Sequence, residues 1–496
     1  MIPSQRLKLA VAGSAAALAI LYAVAAVFQA QSVPDRTALA VMGRPYFLAG
    51  VNYPWKTYQD FGTGGWGYSG VAHPTTRAEI EADFANLAAQ GVRVVKWRVF
   101  NDGRYSPEFD EAGFVTGLDE EFFADVDAAL ALARQYDIYL VLGLFASGLW
   151  TSACVQEDVQ LGGRAATLAH PAKRESLLRN AIVPLLQHVG RDDRVIAYEI
   201  LAEPEWGIRE LNRDRDGRTK IPLAAARAFV AAAAGAIHTY TDALATVESN
   251  RATHMRYWKG TGLDYYSFSW YDWLEPYEPL DRPAQALGLD GPVVLGEFPV
   301  GSSQYYGLAQ VLEVARRQGY AGAFAWSYLG GDGYGKWQDS VAEYVEWARP
   351  RWDELNLGGT GQLPAGEVAL KPQPYDYGDV AVSAAESGVA VAVDVNVRDG
   401  GSYVAKFFLQ QIGAEPAPLE QSVPVEFAAS EPSELAVRFA GLAEQVPYKL
   451  SLGLFDASSS QLQKWFDGIA LLQVGDGEVR EPDLTALQKE DPCYRQ

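Results

Sequence analysis

Two glutamates stand where two apolar segments end, and together they could act as an acid and a nucleophile. Glu203 follows the apolar segment 195–201, and Pro204 ends that strand because proline has no backbone N–H to donate. Glu297 lies at the equivalent end of the segment 293–298. Hydrolysis of a glycosidic bond needs one protonated and one ionised carboxyl group, which retaining enzymes hold about 5–5.5 Å apart. Either glutamate alone would be read as half of a structural ion pair, so the interpretation depends on finding both.

The elements around the two glutamates predict a closed α/β barrel. Short apolar segments, typical of strands buried on both faces, alternate with amphipathic helical segments. This alternation favours a parallel sheet, and eight repeats favour a (β/α)₈ TIM barrel over residues 36–357, with chemistry at the carboxyl ends of its strands. The predicted strands are 46–53, 92–100, 138–145, 195–201, 243–248, 264–271, 293–298 and 321–327. The predicted helices are 76–90, 120–136, 172–188, 223–240 and 308–318, the first with a capping box at Thr76 and Glu79.

A second, smaller domain is predicted after the barrel. Residues 358–378 contain several Gly and Pro and predict a linker. The period of the apolar residues then changes to two, which predicts an Ig-like β-sandwich over residues 379–475 and a charged tail without strands at 476–496. The predicted strands are 380–397, 403–410, 423–428, 435–439, 448–455 and 465–474. The sandwich could bind carbohydrate or act as a spacer, and the spacer is favoured because Trp465 is its only tryptophan.

The N-terminus predicts export. Arg6 and Lys8 precede an uncharged apolar run over residues 9–28, so residues 1–32 read as a signal peptide or an uncleaved signal anchor. The protein is therefore expected in the periplasm or outside the cell, with a single span at the inner membrane as the anchored alternative. In an exported protein Cys154 and Cys493 could form a disulfide.

Composition excludes several classes of partner. A net charge of −21 would repel nucleic acid and anionic membrane surfaces. Two cysteines and five scattered histidines give no metal-ligand spacing, so neither a metal nor another cofactor is expected. The sequence leaves the oligomeric state open.

Six segments, in chain order, resemble one enzyme family. They are 50–55 (GVNYPW), 95–102 (VKWRVFND), 202–204 (AEP), 267–271 (SFSWY), 296–298 (GEF) and Trp326. Together they resemble clan A of the retaining glycoside hydrolases, nearest to family 5 with its cellulase- and mannanase-like members. The resemblance covers about residues 40–355, and its strength lies in the order of motifs that are individually weak.

The resemblance implies roles for these residues. Glu203 would protonate the glycosidic oxygen and later deprotonate water, and Glu297 would attack the anomeric carbon. Tyr271 would donate a hydrogen bond to Glu297, and Trp326 would stack under the reacting sugar. Further residues expected to line the sugar site are Lys96, Asn101, Asp102, Trp55, Trp206 and Ser269, the last at the family's His position. About half of a wider set of tryptophans is expected to form subsites, drawn from Trp55, Trp66, Trp150, Trp206, Trp270, Trp273 and Trp337.

Two residues depart from the family pattern. Ala202 stands where the family has an Asn that binds the sugar 2-hydroxyl, and Lys96 stands where it has Arg. Arg98, two residues further out on the same face, could take over from the missing Arg. The departures leave three hypotheses: a retaining β-glycoside hydrolase acting on an oligo- or polysaccharide, a glycan-binding barrel with impaired catalysis, or a transglycosylase. The enzyme is favoured because both glutamates are present.

Overall fold

A computed structural model describes most of the chain: residues 39–58, 60–63, 69–156, 159–214, 218–330, 332–366, 368–385, 388–413, 417–475 and 477–484. The predicted signal or anchor segment, 1–32, lies outside the described residues. Among the residues described, no helix is long and apolar enough to cross a membrane. Cys154 is disulfide-bonded, and Cys493, the other cysteine of the chain, is outside the described part.

Eight parallel strands close into the predicted barrel, in chain order around the ring. Every residue of the first, third, fourth and seventh strands is buried, which explains why their sequences are continuous apolar runs rather than alternating ones. All eight strands lie within two residues of their predicted bounds. They are β1 (Leu48–Tyr53), β2 (Val94–Arg98), β3 (Tyr139–Phe145), β4 (Val195–Ala202), β5 (Leu244–Ser249), β6 (Tyr266–Ser269), β7 (Val293–Pro299) and β8 (Gly322–Trp326).

Helices surround the barrel and pack their apolar faces on it. The α-helices of the described residues are α1 (Pro74–Ala89), α2 (Phe122–Gln135), α3 (Ala165–Ala169), α4 (Pro171–Leu177), α5 (Val183–Val189), α6 (Leu223–Tyr240), α7 (Leu308–Arg317), α8 (Val341–Ala348) and α9 (Trp352–Leu355). One π-helical turn, Leu178–Ile182, joins α4 to α5 within the predicted helix 172–188. Three short antiparallel ribbons complete this part, formed by Leu39–Val41 with Arg44–Tyr46, Glu108–Phe109 with Val115–Gly117, and Cys154–Gln156 with Val159–Leu161.

The predicted capping box at the start of α1 is wrong. The helix begins two residues earlier, at Pro74, whose missing N–H is no loss in the first turn. The Thr76 hydroxyl donates to the Ser69 carbonyl oxygen at 2.9 Å. Glu79 is buried and binds the ammonium group of Lys464 at 2.8 Å, far away in the sequence.

The C-terminal residues form two antiparallel sheets, as a sandwich requires. The strands are β9 (Tyr375–Ala385), β10 (Gly388–Val397), β11 (Gly401–Gln411), β12 (Leu419–Phe427), β13 (Ser433–Ala440), β14 (Pro447–Asp456), β15 (Leu462–Gly475) and β16 (Glu478–Arg480). One sheet has the order β9-β10-β13 and the other β12-β11-β14-β15-β16. Two predictions were wrong here. The single strand 380–397 is in fact the pair β9 and β10, and β16 lies in the tail that was predicted to lack strands.

The connecting segment lies along α1 and hydrogen-bonds to it. Asp83 of α1 is buried and accepts hydrogen bonds from the Tyr53 hydroxyl at 2.7 Å, the Lys56 ammonium at 2.9 Å and the Gln373 amide at 2.7 Å. The Lys371 backbone also exchanges two hydrogen bonds with the Asn86 amide. The sandwich is therefore joined to the first βα unit of the barrel by side chains as well as by the chain itself.

Barrel closure between β8 and β1 requires a glycine at position 50. A Cβ on Gly50 would stand 2.4 Å from Phe324 Cε1 and 2.8 Å from the Val94 carbonyl oxygen. We expect Gly50→Ala to lower the free energy of unfolding by about 1–3 kcal/mol, because the added methyl group has no space. Gly235→Ala is the matched control, since a Cβ there meets nothing within 4 Å and α6 should gain up to about 1 kcal/mol. Urea unfolding followed by fluorescence measures both, and equal stability of the two variants would contradict the expectation.

Candidate active site

Glu203 is positioned by an abrupt change of backbone conformation at the end of β4. Its φ and ψ of 50° and 46° are left-handed, which costs a non-glycine residue roughly 1–2 kcal/mol. Its N–H donates to the Glu248 carbonyl oxygen at 2.7 Å, which ties this turn to the end of β5. The Trp206 indole N–H donates to Glu203 Oε2 at 2.8 Å. The strained turn and the two hydrogen bonds give the carboxyl group one defined position.

Glu297 is a buried residue of β7 and is held by three side chains. The Arg98 guanidinium donates to Oε1 at 3.1 Å and the Tyr271 hydroxyl donates to Oε2 at 3.0 Å. The Lys96 ammonium lies 3.8 Å from Oε1. Each carboxylate oxygen therefore faces a donor, which fixes the orientation of the group.

The pKa values of both glutamates are raised. Burial and the negative charge of Glu297 raise the pKa of Glu203, while the hydrogen bond from Trp206 opposes the rise. Burial and the charge of Glu248 raise the pKa of Glu297 to about 7, against the lowering effect of Lys96 and Arg98. The charge of Glu297 therefore favours the protonated form of Glu203, while Lys96 and Arg98 favour the ionised form of Glu297.

A buried charged layer lies directly below Glu297. Lys96 is 2 % exposed, and its ammonium contacts Glu199 Oε2 at 3.1 Å and Glu248 Oε2 at 2.5 Å. Burial alone would lower the pKa of Lys96, but Glu199, Glu248 and Glu297 raise it above its usual value. Burial and Glu199 in turn raise the pKa of Glu248, while the charge of Lys96 and its hydrogen bond lower it.

The layer explains why a glycine precedes Glu297. A Cβ on Gly296 would stand 2.2 Å from Glu248 Oε1 and 2.3 Å from Ser267 Oγ. The Ser269 hydroxyl, 3.4 Å from the same Glu248 oxygen, also stabilises ionised Glu203 and lowers its pKa. Ser269 is thus completely buried among carboxyl groups rather than open to a ligand.

Aromatic rings surround the guanidinium of Arg98. Its Cζ lies 4.8 Å from the centroid of the Trp326 ring and 6.0 Å from that of Trp55. Both tryptophans are partly exposed. Tyr271 packs against the exposed Tyr334, with ring centroids 4.5 Å apart. Trp55, Trp326, Tyr271 and Trp206 therefore lie around the two glutamates.

Several other predicted site residues lie elsewhere. Asp102 is fully buried and forms an ion pair with Arg104 at 2.6 Å, so it is not available to a sugar. Asn101 is buried beside it with a left-handed backbone. Three of the predicted subsite tryptophans are core residues that are at most 1 % exposed, namely Trp150, Trp270 and Trp337. Trp273 is 45 % exposed, and Trp66 lies outside the described residues.

Sequence reasoning missed Glu199 and Glu248 and gave Lys96 the wrong neighbours. Lys96 was expected to line the sugar site but is buried, and Arg98, which could take over from the missing Arg, donates to Glu297. A signal was present, because Glu199 interrupts the apolar run of β4 and Glu248 ends that of β5. A charged residue inside a strand buried on both faces needs a partner, and Lys96 in β2 is the matching cation.

Known enzymes are similar to this chain in sequence and in structure. No family model matches the chain. The mannan endo-1,4-beta-mannosidase of Cryptopygus antarcticus is 26% identical over 334 residues, which span 58% of this chain and 82% of the relative. The enzyme of the same name from Mytilus edulis is 25% identical over 350 residues, spanning 63% and 91%.

The resemblance to clan A glycoside hydrolases, nearest to family 5, is confirmed. The prediction of a glycoside hydrolase is confirmed at the level of the enzyme class. Solved structures support the barrel fold: a β-1,4-D-mannanase from Cryptopygus antarcticus has a TM-score of 0.54 at 23% identity, covering 66% of this chain and 96% of that one. An endo-1,4-β-mannanase from Eisenia fetida has a TM-score of 0.53 at 23% identity, covering 63% and 93%.

The buried carboxyl groups predict a fall in thermal stability between pH 5 and pH 8. Burial raises the pKa of Glu205 and of Glu297 to about 7, and it raises that of Glu248 as well, against an unfolded value of about 4.3. The folded protein therefore keeps protons that the unfolded chain has lost, and this stability is lost as the pH rises through 7. Calorimetry in high salt, which screens the surface charges but not these groups, should show a lower Tm at pH 8 than at pH 5. A constant or rising Tm would show that the pKa values of these carboxyl groups are not raised in the folded protein.

Proposed function

We propose that this chain is a retaining endo-β-mannanase, with Glu203 as general acid/base and Glu297 as nucleophile. The single observation that carries the proposal is that Glu203 and Glu297 lie close enough for their charges to interact but have different partners. Arg98, Lys96 and Tyr271 all favour the ionised form of Glu297. Glu203, with burial and a nearby anion raising its pKa, is suited to hold the proton.

In the first step, Glu297 attacks the anomeric carbon while Glu203 gives its proton to the departing glycosidic oxygen. The bond from the anomeric carbon to that oxygen breaks, and an ester between the sugar and Glu297 forms. Negative charge leaves Glu297 and appears on Glu203 in the same step. Tyr271 and Arg98 hold the Glu297 oxygens in the direction of attack, which lowers the cost of orienting the two reactants.

In the second step, Glu203 takes a proton from a water molecule, which attacks the anomeric carbon and breaks the ester. The product keeps the configuration of the substrate because two inversions have occurred, and both glutamates return to their starting charge. The Trp206 indole stays within hydrogen-bond distance of Glu203 and stabilises its ionised form between the two steps.

Two observations support mannan as the substrate. The relatives named above are mannan endo-1,4-beta-mannosidases. Mannose carries its 2-hydroxyl axially, and Ala202, which precedes Glu203, has a smaller side chain than the Asn of the family pattern. Trp326 and Trp55 offer partly exposed ring faces beside the nucleophile, on which the C–H face of a sugar could pack.

The proposed place of action rests on the sequence alone. The basic residues Arg6 and Lys8 before the apolar run 9–28 favour export, and either a cleaved signal or an uncleaved anchor fits them.

The substrate proposal predicts a preference among β-linked polysaccharides. Wild-type protein should release oligosaccharides from β-1,4-mannan faster than from β-1,4-glucan or β-1,4-xylan of similar length. Glu203→Gln should lose roughly 10²–10⁴-fold in rate, as expected when a general acid is removed. Chromatography of the products measures the preference, and release of single mannose units only would contradict endo action. Equal release by wild type and Glu297→Ala on every substrate would refute the assignment of the nucleophile.

A mechanism-based label separates an enzyme from a glycan-binding barrel. An activated 2-deoxy-2-fluoro mannoside should glycosylate wild-type protein once per chain, with loss of its leaving group, and peptide mass spectrometry should find the label on Glu297. Glu297→Gln should not be labelled, whereas Glu205→Gln, which removes a buried carboxyl group outside the pair, should be. Saturable binding of mannan oligosaccharides without labelling or turnover would instead indicate a binding barrel. Transfer of the label to an added sugar rather than to water would indicate a transglycosylase.

A further inference from the structure

Three carboxyl groups and two cations meet at the centre of the barrel mouth. Glu199, Glu248 and Glu297 are each at most 4 % exposed, and Lys96 and Arg98 are the cations that contact them. Fully ionised, these five groups would carry a net charge of −1 in a place with little water. Such crowding is expensive, and barrels usually fill this layer with branched apolar side chains.

We infer that Glu248 and Glu199 are positioning residues that set the charge state of the nucleophile by competing with Glu297 for Lys96. This inference rests on the proposed function, because it assigns a role around the same nucleophile. The Lys96 ammonium is 2.5 Å from Glu248 and 3.1 Å from Glu199, but 3.8 Å from Glu297. Two carboxylates therefore hold the cation away from the nucleophile, which leaves Glu297 more basic than a single Lys–Glu pair would.

The charged and titratable groups facing Glu297 come from four other strands of the barrel. Lys96 and Arg98 project from β2, Glu248 from β5, and Glu203 and Tyr271 from the ends of β4 and β6. Only Lys96, Arg98 and the Tyr271 hydroxyl favour the ionised nucleophile. Glu248 opposes the ionised form of Glu297. The backbone holds Glu248 in place, because Ser249 pairs with β6 and the Glu248 carbonyl oxygen accepts a hydrogen bond from the Glu203 N–H.

The competition has a chemical consequence for the first step. A more basic carboxylate is a better nucleophile once it is ionised. Its negative charge is lost when the sugar ester forms, so the repulsion by Glu248 is relieved during the attack. The same repulsion makes Glu297 take up a proton at a higher pH. The charged layer thus makes Glu297 a stronger nucleophile and lowers the activity at acidic pH.

The test is the acidic limb of the pH profile of kcat/KM on a soluble mannan oligosaccharide. Glu248→Gln keeps the shape below Gly296, removes one negative charge and frees Lys96 to approach Glu297. The limb should move to lower pH by about one to two units, as expected for the loss of a close like charge. Glu199→Gln should move it in the same direction by less, because Glu199 touches Lys96 but not the nucleophile.

Lys96→Met should move the limb the opposite way, to higher pH, because it removes a cation from the nucleophile. A purely structural role would lower kcat in all three variants without shifts of opposite sign. If Lys96→Met does not fold, the two glutamine variants still decide the question.

Glu205→Gln is the matched control, since Glu205 is equally buried but accepts hydrogen bonds from Trp258 and Asn250 instead of facing Glu297. The acidic limb of Glu205→Gln should lie at the same pH as that of wild type. An acidic limb that Glu248→Gln does not move would overturn the inference.

A second measurement needs no turnover and so separates this inference from the proposed function. The Tm at pH 8 is compared for Glu248→Gln, Glu297→Gln and the double variant. If the two carboxylates repel each other, either single change relieves the repulsion, and the double variant gains less than the sum of the two. Additive changes would refute the inference even if the protein hydrolyses mannan. A gain smaller than the sum would support it even if no substrate is turned over.

Discussion

Three carboxyl groups surround one ammonium group at the level where the barrel strands end, and the surrounding structure accommodates that cluster. Gly296 has no side chain because Glu248 occupies the space a Cβ would need. Ser269 is small and hydroxylated where it contacts the same carboxyl group. Lys96 remains charged although it is buried, because the neighbouring carboxylates raise its pKa. The chemistry of Glu297 is therefore inseparable from residues that no substrate can touch.

Arg98 links that buried layer to the open side of the site. Its guanidinium donates to Glu297 and lies between the rings of Trp326 and Trp55. A planar guanidinium can stack on an aromatic face and donate from its edge at the same time, which an ammonium group cannot do. Two cations thus stand where the family pattern has one Arg. Lys96 binds the buried carboxylates, and Arg98 binds the nucleophile and the aromatic rings.

The barrel could be predicted from the sequence because its strands are buried on both faces and its helices have one apolar side. Glu203 and Glu297 were predictable because each follows a strand directly, and the structure brings them together. The partners of Lys96 were not predictable in the same way. Which charged residues of β2, β4 and β5 meet depends on the register of three strands and on closure of the ring, and periodicity contains neither. Burial also decided against Trp150, Trp270 and Trp337, because a tryptophan near a strand end has the same sequence signature in a core as in a cleft.

The clamp between α1 and the C-terminal residues bears on how the two domains could have been assembled. Glu79 is buried against Lys464 of the sandwich, and Asp83 is buried against Gln373 of the connector. A barrel released from the C-terminal residues would lose the Lys464 partner of Glu79 and the Gln373 partner of Asp83, while Asp83 would keep Tyr53 and Lys56. An accessory domain taken from another protein would therefore have to supply a cation for Glu79, or α1 would have to change at that position. The two units are thus matched to each other along this helix.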